Sequence, residues 1–179
     1  GGDLICKILK AKPEFLIEGK EFILQPQSEW FKVRRLLKEY HYQIEKEWFL
    51  KEDGKYYVII KAEPAWTQPQ RLKHQQPSIH EYIKEISETP ANQAVSEKDM
   101  ESIYEQYGKY LIETKNPVLK EYLKKEITKK ESIAAELKQS IKEMESEELS
   151  GKERGNIAKR QRRYQEIQKE IRDMRKAIG

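Results

Sequence analysis

From residue 117 onward the apolar residues fall at alternating spacings of four and three: Leu123, Ile127, Ala134, Leu137, Ile141 and Met144, with Lys130 standing where one more would fit. The same spacing returns after Ser150-Gly151-Lys152-Glu153 as Ile157, Tyr164, Ile167, Ile171, Met174 and Ile178. Such a stripe is too narrow to build a globular core and suits one helix lying along another. Two stripes of similar length on either side of a short break predict an antiparallel helical hairpin of coiled-coil type. Pro117 is tolerated in the first turn of a helix, and Ser150 with Glu153 has the spacing of a capping box for the second.

Charge supports an extended, solvated arm. Charged residues make up 37% of the 179-residue chain, yet the net charge is only +4, a weak global signal for nucleic acid. The distribution says more: residues 152–178 hold ten Lys and Arg against four Asp and Glu, whereas residues 117–149 hold seven against eight. Lys159, Arg160, Arg162, Arg163, Arg172 and Arg175 therefore become candidate RNA-binding residues, since guanidinium groups spread along a helix can meet successive phosphates. Helical spacing turns Arg160 toward the stripe. A helix charged merely for solubility is the competing reading. Tyr164 and Trp66 could stack on an unpaired base, although the stripe position of Tyr164 favours packing.

The first third has a different texture. Leu4, Ile5, Ile8 and Leu9 share one helical face, a helix expected to end near Pro13. Phe22-Ile23-Leu24 before Gln25-Pro26 reads as a buried strand, because a parallel strand covered on both faces need not alternate. Residues 29–40 place Trp30, Val33, Leu36 and Leu37 on one helical face. Residues 43–50 and 56–62 are β-rich runs joined across Asp53-Gly54, a strong hairpin signal because the tight turn needs positive φ. Strand, helix and hairpin form an α/β rhythm too small and too open-edged to stand alone. Residues 1–63 are thus expected to be the second half of a larger sheet domain. Residues 64–95 are rich in Pro and Gln, the composition of a linker or insertion, with a short helix expected at residues 79–86. Ser96 is expected to cap a helix running to about Gly108, and residues 96–179 form the helical part.

Several classes are excluded or disfavoured. One cysteine, Cys6, cannot form an internal disulfide, and three scattered histidines offer no zinc set. A metal is not expected, and a reducing cytoplasm fits best. No apolar run approaches the roughly 20 residues that span a bilayer. There is no nucleophile elbow or phosphate-binding loop, and no catalytic residue can be named. What carries chemistry is Gly1-Gly2 leading into a helix and the strand ending at Gln25-Pro26-Gln27. Ligands of open α/β sheets bind beyond the carboxyl ends of strands, so both segments should lie on one rim, where glycines allow close backbone approach. An ordinary strand-to-helix turn is the plainer alternative.

These segments, taken in order, resemble a known family. Gly1-Gly2-Asp3-Leu4-Ile5-Cys6-Lys7-Ile8-Leu9 is similar to the end of the GMGG-x-LI-x-x-IL motif of bacterial TrmK-type tRNA (adenine-N1)-methyltransferases. Phe22-Ile23-Leu24-Gln25-Pro26 resembles their LILQP strand, and Val33-Arg34-Arg35-Leu36-Leu37 the helix after it. The run from Glu52 through Asp53-Gly54-Lys55 to Ile60 resembles their E-x-GK-x-YEII hairpin, and Tyr107-Gly108-Lys109 through Pro117 the stretch leading into the family's coiled-coil tail.

The resemblance implies a Rossmann-like, S-adenosyl-L-methionine-dependent enzyme that methylates N1 of adenine 22 in tRNA, whose last hairpin inserts an antiparallel strand into the sheet. By carry-over, Gly1 and Gly2 would line the cofactor pocket, and Gln25, Pro26 and Gln27 the rim where the adenine enters. Gln27 stands where the family usually has Asn. The acidic, glycine-rich cofactor loop of the family's N-terminal half is not among these residues, so the chain by itself is expected not to methylate. A monomer is expected, with self-association through the coiled coil as an option. The rival is a non-catalytic coiled-coil module that binds a partner helix or RNA.

Overall fold

The computed structural model describes residues 1–11, 14, 20–65, 97–144 and 151–179. The elements run α1 (Gly2–Ala11), β1 (Phe22–Leu24), α2 (Trp30–Glu39), β2 (Tyr42–Glu52), β3 (Lys55–Pro64), α3 (Glu97–Tyr107), α4 (Lys109–Glu113), α5 (Pro117–Met144) and α6 (Gly151–Ile178). Two compact units result, residues 1–116 and 117–179. Ser96, Trp66, the short helix expected at residues 79–86, the end of the first helix at Pro13 and Ser150 lie outside the described residues.

In the first unit three strands form a sheet in the order β1-β3-β2, with both pairings antiparallel. β2 and β3 form the expected hairpin, closed by the pair Glu52–Lys55. Its turn holds Asp53 at φ 48° and Gly54 at φ 76°, the two positive angles that a primed turn demands. An irregularity between Ile44 and Lys46 lets Glu45 stand outside the regular pairing. Because β3 returns between the other two, β1 and β2 run parallel without touching. That placement matches the inserted antiparallel strand that the family resemblance implies.

Side-chain period then builds the core. Val58, Ile60 and Ala62 alternate along β3 onto one face, where they meet Phe49 of β2 and Val33, Leu36 and Leu37 of α2; each is at most 2% exposed. Fully burying a side chain of this kind contributes about 1.5–3 kcal/mol. Met100, Ile103 and Leu111 bring α3 and α4 into the same unit, against α2 and β2. The helices read from the sequence as the start of the arm therefore stand with the sheet.

β1 has the open edge read from the sequence: Ile23 is 70% exposed and Phe22 and Leu24 only half-buried. The physical reason is one-sided cover: among the described residues β3 occupies one edge and nothing packs over Ile23. Leu4 and Ile8 of α1 are likewise about half exposed, at 58% and 50%.

In the second unit α5 and α6 pack along each other. The cross-links fix the direction: Arg160 reaches Ser140, Lys130 pairs with Glu170, and Arg175 Nη2 lies 2.6 Å from Glu131 Oε1. As one number rises the other falls, so the helices are antiparallel. Leu119, Leu123, Ile127 and Ala134 of α5 and Ile157, Ile167, Ile171 and Met174 of α6 are buried, while Leu137 and Tyr164 are half-buried. Lys130, the gap in the first stripe, is answered across the interface by Glu170.

Candidate active rim and nucleic-acid interface

The two glycines and the turn after β1 meet. Gly2 donates its backbone N–H to the carbonyl of Ser28 at 2.8 Å, which ties the start of α1 to the segment that follows Gln25-Pro26-Gln27. A Cβ at position 2 would stand 2.6 Å from Ser28 O and 2.7 Å from Glu29 O. Both are backbone atoms that cannot swing aside, so only glycine allows this approach. Gly2 and Pro26 are buried, whereas Gly1, Gln25 and Gln27 are exposed at the rim.

Charge gathers at the same place in residues the sequence reading did not single out. Lys32, in the first turn of α2, donates to Asp3 Oδ1 at 2.8 Å and to the Glu29 carboxylate. The hydrogen bond from Lys32 holds the Asp3 carboxyl below its ordinary value, and bonding to Asp3 and Glu29 raises Lys32. Glu29 adopts a left-handed conformation at φ 55° immediately before α2. Asp3 and Lys32 are 29 positions apart, so no local spacing could have announced their pairing.

The buried charges lie deeper. Arg34 Nε donates to Glu47 Oε1 at 2.8 Å, with side-chain exposures of 4% and 1%. Arg34 Nη1 reaches the carbonyls of Glu105 and Gln106 at 3.2 and 3.0 Å, satisfying the carbonyl end of α3. Desolvation pushes the Glu47 carboxyl up: Arg34 pulls it the other way, but only one carboxylate oxygen receives a hydrogen bond and burial prevails. Sequence reasoning assigned the buried face of α2 to Trp30, Val33, Leu36 and Leu37 and missed Arg34. An arginine directly beside a core valine is no signal, since adjacent residues do not share a helix face.

A third cluster has the look of a cation site. Ligand atoms of Glu21, Glu45 and Glu63 lie within 4.8 Å of one another, but Lys61 Nζ stands 3.0 Å from Glu21 and 2.6 Å from Glu45. The ammonium already supplies the positive charge, and these hydrogen bonds raise Lys61 above its ordinary value.

On α6 all six basic residues named from the sequence are exposed. They separate into two sets. Arg160, Arg163 and Arg175 are engaged, with Ser140, with Glu166 and Glu170, and with Glu131 respectively. No ion pair among the described residues holds Lys159, Arg162 or Arg172. Tyr164 lines a groove between the helices floored by Ala134 and Ala135. Among the described residues no helix is long and apolar enough to cross a membrane.

The model of the TrmK family, tRNA (adenine(22)-N(1))-methyltransferase, matches residues 1–105, from the glycine rim through α3. The chain belongs to the TrmK family. Solved structures show the same fold. The B. subtilis M1A22 tRNA methyltransferase TrmK aligns with a TM-score of 0.61 and 21% identity, and an uncharacterized protein of Listeria monocytogenes with 0.62 and 19%; each alignment covers 100% of this chain and 60% of the other. A Streptococcus pneumoniae protein solved in complex with S-adenosyl-L-methionine aligns with a TM-score of 0.53 and 19% identity, over 100% of this chain and 56% of that one. The chain thus spans about 60% of the length of the first of these structures. Among curated proteins none matches. A Streptococcus agalactiae protein described as belonging to the NADB-Rossmann superfamily also aligns, with a TM-score of 0.57 and 18% identity, in agreement with an α/β fold.

Proposed function

We propose that the protein transfers a methyl group from S-adenosyl-L-methionine to N1 of adenine 22 in tRNA, with residues 1–65 supplying one side of the catalytic rim and α5 and α6 holding the tRNA. The single observation that carries this reading is the bond from Gly2 N–H to Ser28 O. It joins two segments of the family pattern, far apart in sequence, into one edge at the carboxyl end of β1, where open α/β sheets bind ligands.

The residues present fit one flank of such a cofactor. Gly2 keeps the backbone free of a side chain where α1 begins, and the starts of α1 and α2 meet at this edge, the positive ends of two helix dipoles. S-adenosyl-L-methionine, when bound, supplies the methyl group. The chain's own task is positioning, because N1 of adenine carries its own lone pair and base pairing must be broken to reach it. Exposed Gln25 and Gln27 can offer amide donors and acceptors to an extruded base, and buried Pro26 holds them in place. Lys32, fixed between Asp3 and Glu29, keeps a positive charge at the same edge. We assign phosphate contact to Lys159, Arg162 and Arg172 first, and to Arg160, Arg163 and Arg175 second, because the latter are already engaged within the hairpin. The packing of α5 against α6 supports a coiled-coil assignment for the arm. Since the described residues furnish only one flank of the cofactor pocket, the 179-residue chain alone is expected to bind tRNA without methylating it.

The test is methyl transfer by the full-length protein to a tRNA transcript with adenine at position 22 and to its guanine-22 counterpart. Nucleoside mass spectrometry should find N1-methyladenosine in the first and none in the second. Equal labelling of both transcripts, or methylation at another atom, would overturn the assignment.

A further inference from the structure

Tyr164 occupies a stripe position of α6 where an aliphatic side chain would close the contact with α5, yet it is only half-buried. The reason lies across the interface. The groove that Tyr164 lines is floored by Ala134 and Ala135, which offer a single methyl each, too little to cover a phenol ring. A space of about 270 Å³ stays open beside it. That volume falls just below the range of pockets that enclose a drug-sized molecule, roughly 300–1,000 Å³, and suits one flat ring laid on another.

The border of the groove is basic. Gln168 and Arg175 of α6 and Lys138 of α5 line it, and Arg172 and Lys142 continue the same two strips at helical spacings of four. The one acid of the lining, Glu131, is held by Arg175 at 2.6 Å. Lys138, Lys142 and Arg172 are exposed, and no ion pair among the described residues holds them. Glu166 and Glu170 stand two residues away from the strip that carries Tyr164, Gln168 and Arg172, so they point elsewhere, and they bind Arg163 and Lys130 there. Ala134 and Ile171 are buried, so a partner helix would find no apolar stripe left to pack on. What the groove presents is an aromatic ring bordered by uncommitted cations.

We propose that this groove takes one unpaired nucleotide of the bound tRNA, whose base stacks on Tyr164 above the two alanines while its flanking phosphates meet Lys138 and Arg172. Gln168 offers its side-chain amide to the edge of the base. An aromatic platform with cations tracking the backbone holds single-stranded RNA whatever the base, because every base has a flat face. A paired base hides that face in its own stack. The groove therefore tells an unpaired nucleotide from a duplex, which phosphate contacts alone do not. This inference rests on the reading of α5 and α6 as the tRNA grip.

The test is filter binding of the full-length protein to a tRNA transcript and to a fully paired RNA duplex, each over a range of salt. Tyr164→Leu should weaken tRNA binding by at least about fivefold, and Tyr164→Phe by less than about twofold, since a phenyl ring also stacks. Leucine suits the stripe, so the melting temperature of that variant should hold. Ala135→Leu fills the groove from an exposed position with Tyr164 left in place, and should weaken tRNA binding by a similar factor. The salt slope of Tyr164→Leu should match wild type, whereas Lys138→Gln should flatten it by roughly 0.7. Duplex binding should not respond to Tyr164→Leu. Indifference of tRNA binding to Tyr164→Leu and Ala135→Leu, an equal loss on the duplex, or a loss in Tyr164→Phe as large as in Tyr164→Leu would each overturn the proposal. Self-association that Tyr164→Leu abolishes would assign the groove to a second copy and overturn it too. Wild type that binds tRNA while ignoring these changes leaves the grip intact and removes only the groove; wild type that binds no tRNA removes both.

Discussion

Arg34 does more than one residue's share of the assembly. Its guanidinium joins α2 to β2 through Glu47 and closes the carbonyl end of α3. Removing one member of a buried pair leaves the other uncompensated, so Glu47→Leu should cost about 3–5 kcal/mol in urea unfolding. The double replacement Arg34→Leu with Glu47→Leu should cost less than the sum of the two single changes. The raised Glu47 carboxyl also has a pH signature. A carboxyl whose folded value lies above its unfolded one binds more protons when folded, so its contribution is most favourable in acid and declines as pH climbs through the glutamate range of about 4.3 and beyond. Measured as the stability difference between wild type and Glu47→Gln, the advantage of Glu should shrink with rising pH; a growing difference would show Arg34 outweighing burial. Gly108 belongs to the same cluster. At φ 93° and with Glu47 and Arg34 against its Cα, Gly108→Ala should lose about 1–3 kcal/mol. None of this was legible in the sequence, where Arg34 was one basic residue among many on a helix.

Elements were easier to read. The β2–β3 hairpin was expected at residues 43–50 and 56–62 and is found as Tyr42–Glu52 and Lys55–Pro64, because Asp53-Gly54 carries its own backbone preference wherever it stands. The long helices were legible for a similar reason: a spacing of four and three recurs in any helix whose partner is another helix. Ile167 is wholly buried between α5 and α6, so Ile167→Ala should destabilise the hairpin by about 2–5 kcal/mol, read by circular dichroism during thermal unfolding. β1 was legible as an apolar strand with an open edge. Three apolar residues in a row describe a strand that can be covered, and they do not say whether anything covers it. The structure leaves Ile23 bare among the described residues.

At the scale of the molecule the basic arm and the rim meet a shared expectation, tRNA. If the free cations of α6 contact phosphates, replacing Lys159, Arg162 and Arg172 by Ala should weaken tRNA binding for any tRNA sequence. The slope of log affinity against log salt should flatten by roughly 0.7–0.9 for each phosphate no longer neutralised. Replacing Arg160, Arg163 and Arg175 should flatten it less, since those side chains already have partners in the hairpin. Identical slopes in a filter-binding titration would count against the arm as the tRNA grip. By itself the sequence determined the hairpin turn, the two long helices, the basic bias of the last one and the order of segments that resembles TrmK. All of these are local in the chain or repeat along it, and so need no knowledge of what lies across the fold. The tertiary structure alone decided that Gly2 closes on Ser28, that Lys32 joins Asp3 to Glu29, that α3 and α4 pack with the sheet, and that Arg34 and Glu47 share a buried floor. These depend on distance in space between residues far apart in sequence, which only the packing of the whole chain can set.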